Sequence, residues 1–301
     1  MIPLHYAPDV QAAKDAGTAI VALESTIITH GMPYPQNVQT ARLVEDDIRA
    51  GGATPATIAL INGALHIGLT DAQLDALGQA KNVAKLSRAD IAACIATGGT
   101  GATTVAATMI AAHLADIHVF ATGGIGGVHK GAETTFDISA DLYELAQTPV
   151  TVVAAGAKAI LDLEKTYEVL ETLGVPVIAY GQDTLPAFWS GASNLPAPLR
   201  MDRAADIAAA HKMRVAMGLP GGQLVANPIP QDAQIPAETL APIIAQALTE
   251  ADTQGIAAKA VTPFLLGRIF ELTDGASLTA NIALVRNNAR LAAQIAGSLI
   301  S

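Results

Sequence analysis

Four stretches of this chain set chemistry-bearing residues beside apolar runs. Glu24 closes the segment Val21-Ala22-Leu23-Glu24-Ser25-Thr26. A carboxyl group at the end of a strand faces the crevice in which α/β sheets bind ligands. Partly desolvated there, it would keep its proton to higher pH and could donate it near neutrality. A pairing with a nearby arginine, or a turn cap, would account for the same residue without catalysis. Lys158 follows a second apolar run, in Ala154-Ala155-Gly156-Ala157-Lys158-Ala159-Ile160. An amine among small apolar neighbours loses proton affinity and becomes nucleophilic. Alternatively its stem lies along the surface and the ammonium reaches water.

The third stretch is Asp137-Ile138-Ser139-Ala140-Asp141, with oxygen-bearing side chains at alternate positions. If extended, all three face one way and suit Mg²⁺ or Mn²⁺, which prefer oxygen ligands and retain waters. The same residues would also cap a helix starting near Leu142, with Ser139 or Asp141 as the cap. The fourth is glycine-rich. Gly98-Gly99-Thr100-Gly101-Ala102-Thr103-Thr104 leads into a helical pattern, and Thr122-Gly123-Gly124-Ile125-Gly126-Gly127-Val128-His129 follows an apolar run. Glycines let backbone N–H groups approach an anion, and a helix start adds a favourable dipole. Neither turn is a Walker A loop or a complete G-x-G-x-x-G. His129 could bond a substrate oxygen or simply face solvent. Lys85, in Lys85-Leu86-Ser87-Arg88-Ala89-Asp90, offers a cation for phosphate or a surface partner for Asp90.

Elements that could hold these groups are legible around them. Apolar runs at 19–23, 57–61, 117–121, 150–154 and 175–179 lack polar alternation, so they predict strands covered on both faces. Helical patterns span 37–50, 71–79, 104–114 and 162–173, and further on 203–217, 237–253, 262–272 and 277–296. Strand–helix alternation predicts a layered α/β fold, read as one domain over 1–301. The segment 185–199 carries Pro186, Pro196 and Pro198 and is expected as a long loop covering a site.

Composition narrows the function classes. With 51% hydrophobic and 15% charged residues the chain has the means for a large core and is not disordered. Its net charge of −10 opposes nucleic acid at long range, while a few local lysines could still hold a small anion. The single cysteine, Cys94, is expected buried and inert. No basic start precedes an apolar run in the first residues, and no apolar stretch of membrane-spanning length occurs, so a cytoplasmic protein is expected.

Longer blocks add to these residues. VALESTIITHGMPYPQN, ATPATIALINGALHIGL, KLSRADI, GATTVAATMIAA, VFATGGIGGVHKGAETTFDISADL, VTVVAAGAKAILD, ANPIP and TPFLLGRIFELTDGASLTANIALVRNNA occur in that order. In these the chain resembles the pseudouridine-5'-phosphate glycosidase family (indigoidine synthase A-like) along nearly its whole length. The resemblance implies Glu24 as proton donor, Lys158 as covalent nucleophile and Asp137 as the ligand of Mn²⁺, with Mg²⁺ possible. It implies substrate contacts at Lys85, Val105, Ser139, Ala140 and Asp141, and a base contact at Asn281. It further implies a three-layer α/β/α sandwich with a mostly parallel or mixed central sheet, assembled as a homotrimer. The implied activity is reversible cleavage of the C–C glycosidic bond of pseudouridine 5'-phosphate through a lysine imine. A Schiff-base lyase or aldolase for another sugar or C-nucleoside phosphate, and a non-catalytic nucleotide sensor, are the alternatives. One departure stands out. Family members commonly carry an arginine after the F-[FYW] pair, and here Phe188-Trp189-Ser190-Gly191 places Gly191 near it.

Overall fold

The computed structural model describes residues 2, 4–256 and 260–301. Its strands are β1 (Leu4–Tyr6), β2 (Ile20–Leu23), β3 (Thr54–Ile61), β4 (Ala64–Ile67), β5 (Ala84–Leu86), β6 (Gly101–Thr103), β7 (Val119–Ala121), β8 (Thr151–Ala154), β9 (Val177–Tyr180), β10 (Leu199–Met201) and β11 (Gln223–Ala226). The first helices are α1 (Pro8–Ala16), α2 (Thr26–Thr29), α3 (Gln36–Ala50), α4 (Asp71–Gln79), α5 (Arg88–Ala96), α6 (Val105–Leu114) and α7 (Ala132–Thr135). After them come α8 (Ala140–Gln147), α9 (Leu163–Thr172), α10 (Ala204–Ala216), α11 (Ala237–Thr253), α12 (Val261–Leu272) and α13 (Ala276–Ile300).

The strands join in the order β1-β4-β3-β2-β7-β8-β11-β9-β10, with β6 also on β3 and β5 on β6. From β3 through β2 to β10 every pairing is parallel. The long strand β3 changes partner along its length. Thr54–Thr57 runs parallel to β2, while 58–61 pairs antiparallel with β4 and, in part, with β6. Every residue of β7, β8 and β11 is buried, because helices cover both faces of the sheet. α13 packs on β2, β7 and β8 and against α3 and α10, and α6 packs on β2, β3, β4, β6 and β7. Asp47 of α3 clamps α13 through Arg286 (2.6 Å) and Arg290 (2.9 Å).

Most predicted elements fall within a residue or two of their places. β11 escaped because its apolar run is only Leu224-Val225-Ala226, between Gln223 and Asn227. The Gln223 carboxamide is fully buried and donates to Thr151 Oγ1 and the Ile207 carbonyl. α1 escaped because only Val10 and Ala13 of its nine residues are buried. Cys94 is half-buried rather than buried, its sulfur against the Gly99 backbone. Among the described residues no helix is long and apolar enough to cross a membrane.

Candidate active site

In a parallel sheet the strand carboxyl ends share one edge, and the site lies there. Glu24 follows β2, the turn 122–124 follows β7, and Lys158 lies four residues beyond β8. All three segments line one cavity of about 380 Å³. Every site residue that the resemblance implies lines it: Glu24, Lys85, Val105, Asp137, Ser139, Ala140, Asp141, Lys158 and Asn281.

The acid and the amine are held by the same short turn. One Glu24 carboxylate oxygen accepts from the Thr122 hydroxyl and the other from the Thr26 hydroxyl. Two residues beyond Thr122, the Gly124 carbonyl accepts a hydrogen bond from Lys158 Nζ at 2.8 Å. The lysine is therefore half-buried and aimed inward rather than laid on the surface. Glu24 makes no ion pair with arginine among the described residues. Behind it, the fully buried Ser25 Oγ accepts from Thr103 N at 2.9 Å, which ties the end of β2 to β6. The turn itself is fixed from α13, where buried Asn288 donates to the Thr122 carbonyl at 2.8 Å.

Two helices begin at the same cavity. α6 starts at Val105 and α8 at Ala140. Thr104 caps α6 and Ser139 caps α8. Asp141, only 6% exposed, accepts from Ala106 N at 3.0 Å with one oxygen and from Gly126 N at 2.8 Å with the other. This carboxylate struts α8 against both α6 and the glycine turn. The first N–H of each helix, on Val105 and Ala140, has no protein partner among the described residues. Those donors explain how residues with apolar side chains can contact an anion: through backbone N–H at helix starts. Gly126 permits the close approach, since a Cβ there would lie 2.3 Å from Ser139 Oγ.

The stretch 137–141 is extended only as far as Ser139, with Ile138 bridged to Val128, and turns helical at Ala140. Ser139 is the cap and Asp141 turns back inside the first turn of α8. The turn 98–101 also departs from expectation. Gly98 and Gly99 pack on Gly63 and Cys94, Gly101 lies in β6, and only Thr104 and Val105 of that region reach the cavity. Of the two glycine turns, the second, with Gly123, Gly124 and Gly126, lines the cavity beside the two helix starts. The sequence signalled the second turn by its glycines, but held no sign that the start of α8 would meet it.

His129 faces the cavity and not solvent. Burial lowers its pKa below the usual imidazole range. Asp137 opposes that shift, and Lys158 and Lys85 add to it. Burial likewise lowers His30, with Lys85 contributing. The Asp137 side chain bonds none of the described residues, so its oxygens are available. No group of three or more His, Cys, Asp or Glu among those residues could hold a metal ion. One carboxylate without chelating neighbours fits a hydrated Mn²⁺ or Mg²⁺ and does not fit a closed cage. Gly191 lies outside the cavity lining, its N–H on Gln234 Oε1 at 3.1 Å and its carbonyl on Gln182 Nε2 at 2.8 Å.

Comparison with known proteins extends this picture. Residues 9–298 match the family described as indigoidine synthase A like protein. The chain is 72% identical over 298 residues to the pseudouridine-5'-phosphate glycosidase of Jannaschia sp. (strain CCS1), covering 99% of both chains. It is 73% identical over 300 residues to the protein of that name from Roseobacter denitrificans, covering 100% of this chain and 97% of the relative. Among solved structures it is similar to the prealnumycin C-glycosynthase AlnA in complex with ribulose 5-phosphate, with TM-score 0.91 and 38% identity over 99% of this chain and 97% of that one. An indigoidine synthase A-like protein from Thermotoga maritima gives TM-score 0.91 at 30% identity, covering 100% and 97%.

Proposed function

This chain belongs to the indigoidine synthase A-like family, and on that premise we propose that it cleaves the C–C glycosidic bond of pseudouridine 5'-phosphate to uracil and ribose 5-phosphate, reversibly. The observation that carries the reading is the shared turn 122–124, which holds both Glu24 and the Lys158 amine at a cavity where two helix starts offer free N–H groups.

The chemistry follows from the bond. Carbon is a poor leaving atom, so departure of uracil from a closed ribose ring would strand charge on C5. Opening the ring avoids this. Glu24 gives a proton to the ring oxygen as the C1'–O bond breaks, with electron density supplied by the uracil ring. The Lys158 amine adds to C1' and loses a proton. Glu24 takes that proton and passes it to C5, and the C1'–C5 bond breaks with its electron pair leaving on uracil and an iminium remaining on Lys158. Water adds to that iminium, releasing ribose 5-phosphate and the free amine.

The polar wall takes the phosphate. Lys85 supplies positive charge, Ser139 a hydroxyl, and Val105 and Ala140 their N–H groups, with Asp141 holding the two helices in register. Asp137 would hold Mn²⁺, or Mg²⁺, through one carboxylate and waters, and the ion's charge would offset that of the phosphate. The apolar wall, with Ile27, Met32, Phe188, Pro263, Leu266 and Leu284, takes the base beside Asn281.

A homotrimer is part of the same proposal. A cytoplasmic location, where phosphorylated metabolites are retained, completes it. The direct test mixes the protein, Mn²⁺ and pseudouridine 5'-phosphate and follows the ultraviolet absorbance of uracil. Stoichiometric release of uracil and ribose 5-phosphate is expected. No release from well-folded protein would refute the assignment.

A further inference from the structure

Trp189 lies outside the cavity lining and is fully buried, yet it bonds a residue that lines it. Its indole Nε1–H donates to Asn281 Oδ1 at 2.7 Å. An indole nitrogen can only donate, so the Asn281 oxygen must face the tryptophan. The amide nitrogen has no partner among the described residues, and Asn281 lines the cavity on the side away from the buried indole.

The tryptophan is itself held firmly. The neighbouring Phe188 sits at φ 64, a conformation that side chains rarely adopt, and its N–H donates to the Ala155 carbonyl at 3.1 Å. The Trp189 carbonyl accepts from Ile235 N at 2.8 Å. The Phe188 ring meets the indole edge-on with centroids 5.0 Å apart. A rigid donor-only group therefore dictates which end of the Asn281 amide the ligand meets.

We propose that Trp189 is a positioning residue that sets base specificity: its indole N–H fixes Asn281 with the amide donors facing the cavity, so the site accepts a base with a carbonyl oxygen at that place and rejects one with an amino group. A donor fixed in a partly desolvated wall meets a carbonyl with a hydrogen bond and an amino group with donor–donor repulsion. This rests on the base-cleaving reading above.

The test runs the reaction toward bond formation, with ribose 5-phosphate and either uracil or cytosine, on the full chain with Mn²⁺. For Trp189→Phe the uracil KM should rise about tenfold, the loss of one oriented hydrogen bond. The preference for uracil over cytosine should fall by a similar factor, while the ribose 5-phosphate KM stays within about twofold. A merely structural role would raise both KM values together, and that result would overturn the proposal. So would a variant with the wild-type uracil KM and preference. Asn281→Asp keeps an acceptor for the indole but offers the cavity no donor. Its uracil KM should rise at least as far, and an unchanged value would overturn the proposal even if Trp189→Phe fails to fold. Wild-type protein that joins no uracil to ribose 5-phosphate would refute the underlying assignment and this proposal together, whereas active wild type with indifferent variants refutes only this one.

Discussion

Asp141→Asn separates a residue that only touches substrate from one that braces the site. The carboxylate accepts from Ala106 N and Gly126 N, one bond to each oxygen, at 3.0 and 2.8 Å. An amide can serve only one of them and turns an N–H toward the other. Hydrogen bonds to a charged group contribute roughly 1.5–3 kcal/mol each, and a buried donor left facing a donor loses its share entirely. The negative charge at the start of α6 is lost as well, worth about 0.3–1 kcal/mol. A destabilisation of roughly 2–3 kcal/mol follows. With an unfolding entropy of about 2.1 cal/mol/K per residue over this chain, the slope is roughly 0.6 kcal/mol per degree, so Tm should fall by about 3–5 °C. Calorimetry of the apo variant measures this without substrate. Because Asp141 also sets Val105 and Ala140 facing the cavity, the KM for the phosphorylated substrate should rise too. An apo variant melting at the wild-type temperature would refute the bracing role and leave Asp141 as a ligand alone.

Two further outcomes follow from the same geometry. Thr122→Val keeps shape but removes one of the two hydroxyls on Glu24, so kcat should fall roughly tenfold with KM within about twofold, and an unaltered kcat would show that the bond does not position the acid. Burial, with His118 and Arg214 adding to it, lowers the His211 pKa to about 4. The unfolded chain binds that proton first, so this contribution to stability is whole above the ordinary imidazole pKa and is lost as pH falls toward about 4. His211→Gln should flatten the fall of Tm across that window, and an unchanged slope would remove His211 from the account.

What the sequence revealed follows from what each residue advertises. Strands such as β7 and β8 were legible because both faces are covered and no polar residue interrupts them. Glu24 and Lys158 were legible because a lone charge after an apolar run is conspicuous. β11 was hidden by the shortness of its apolar run, Leu224-Val225-Ala226, and its buried glutamine finds partners in other elements. Two glycine turns were read as able to approach a ligand, and only 122–127 lines the cavity while 98–101 does not, since glycines signal backbone freedom and not where it is used. The unpartnered N–H groups of Val105 and Ala140 are ones any residue carries, so the place of these residues at the cavity was implied only by resemblance. The Trp189–Asn281 bond joins residues 92 apart in sequence and has no local pattern at all. Asp141 read as a member of an alternating triplet, and its role became visible only when α6 and the glycine turn were seen to meet on it.

The central claim is that the Lys158 amine carries the sugar. Ribose 5-phosphate incubated with the protein and then reduced with borohydride should leave a stable adduct, which peptide mass spectrometry should place on Lys158. Lys158→Ala, melting like the wild type, should show neither adduct nor turnover. An adduct on Lys85 instead, or undiminished turnover in Lys158→Ala, would contradict the account.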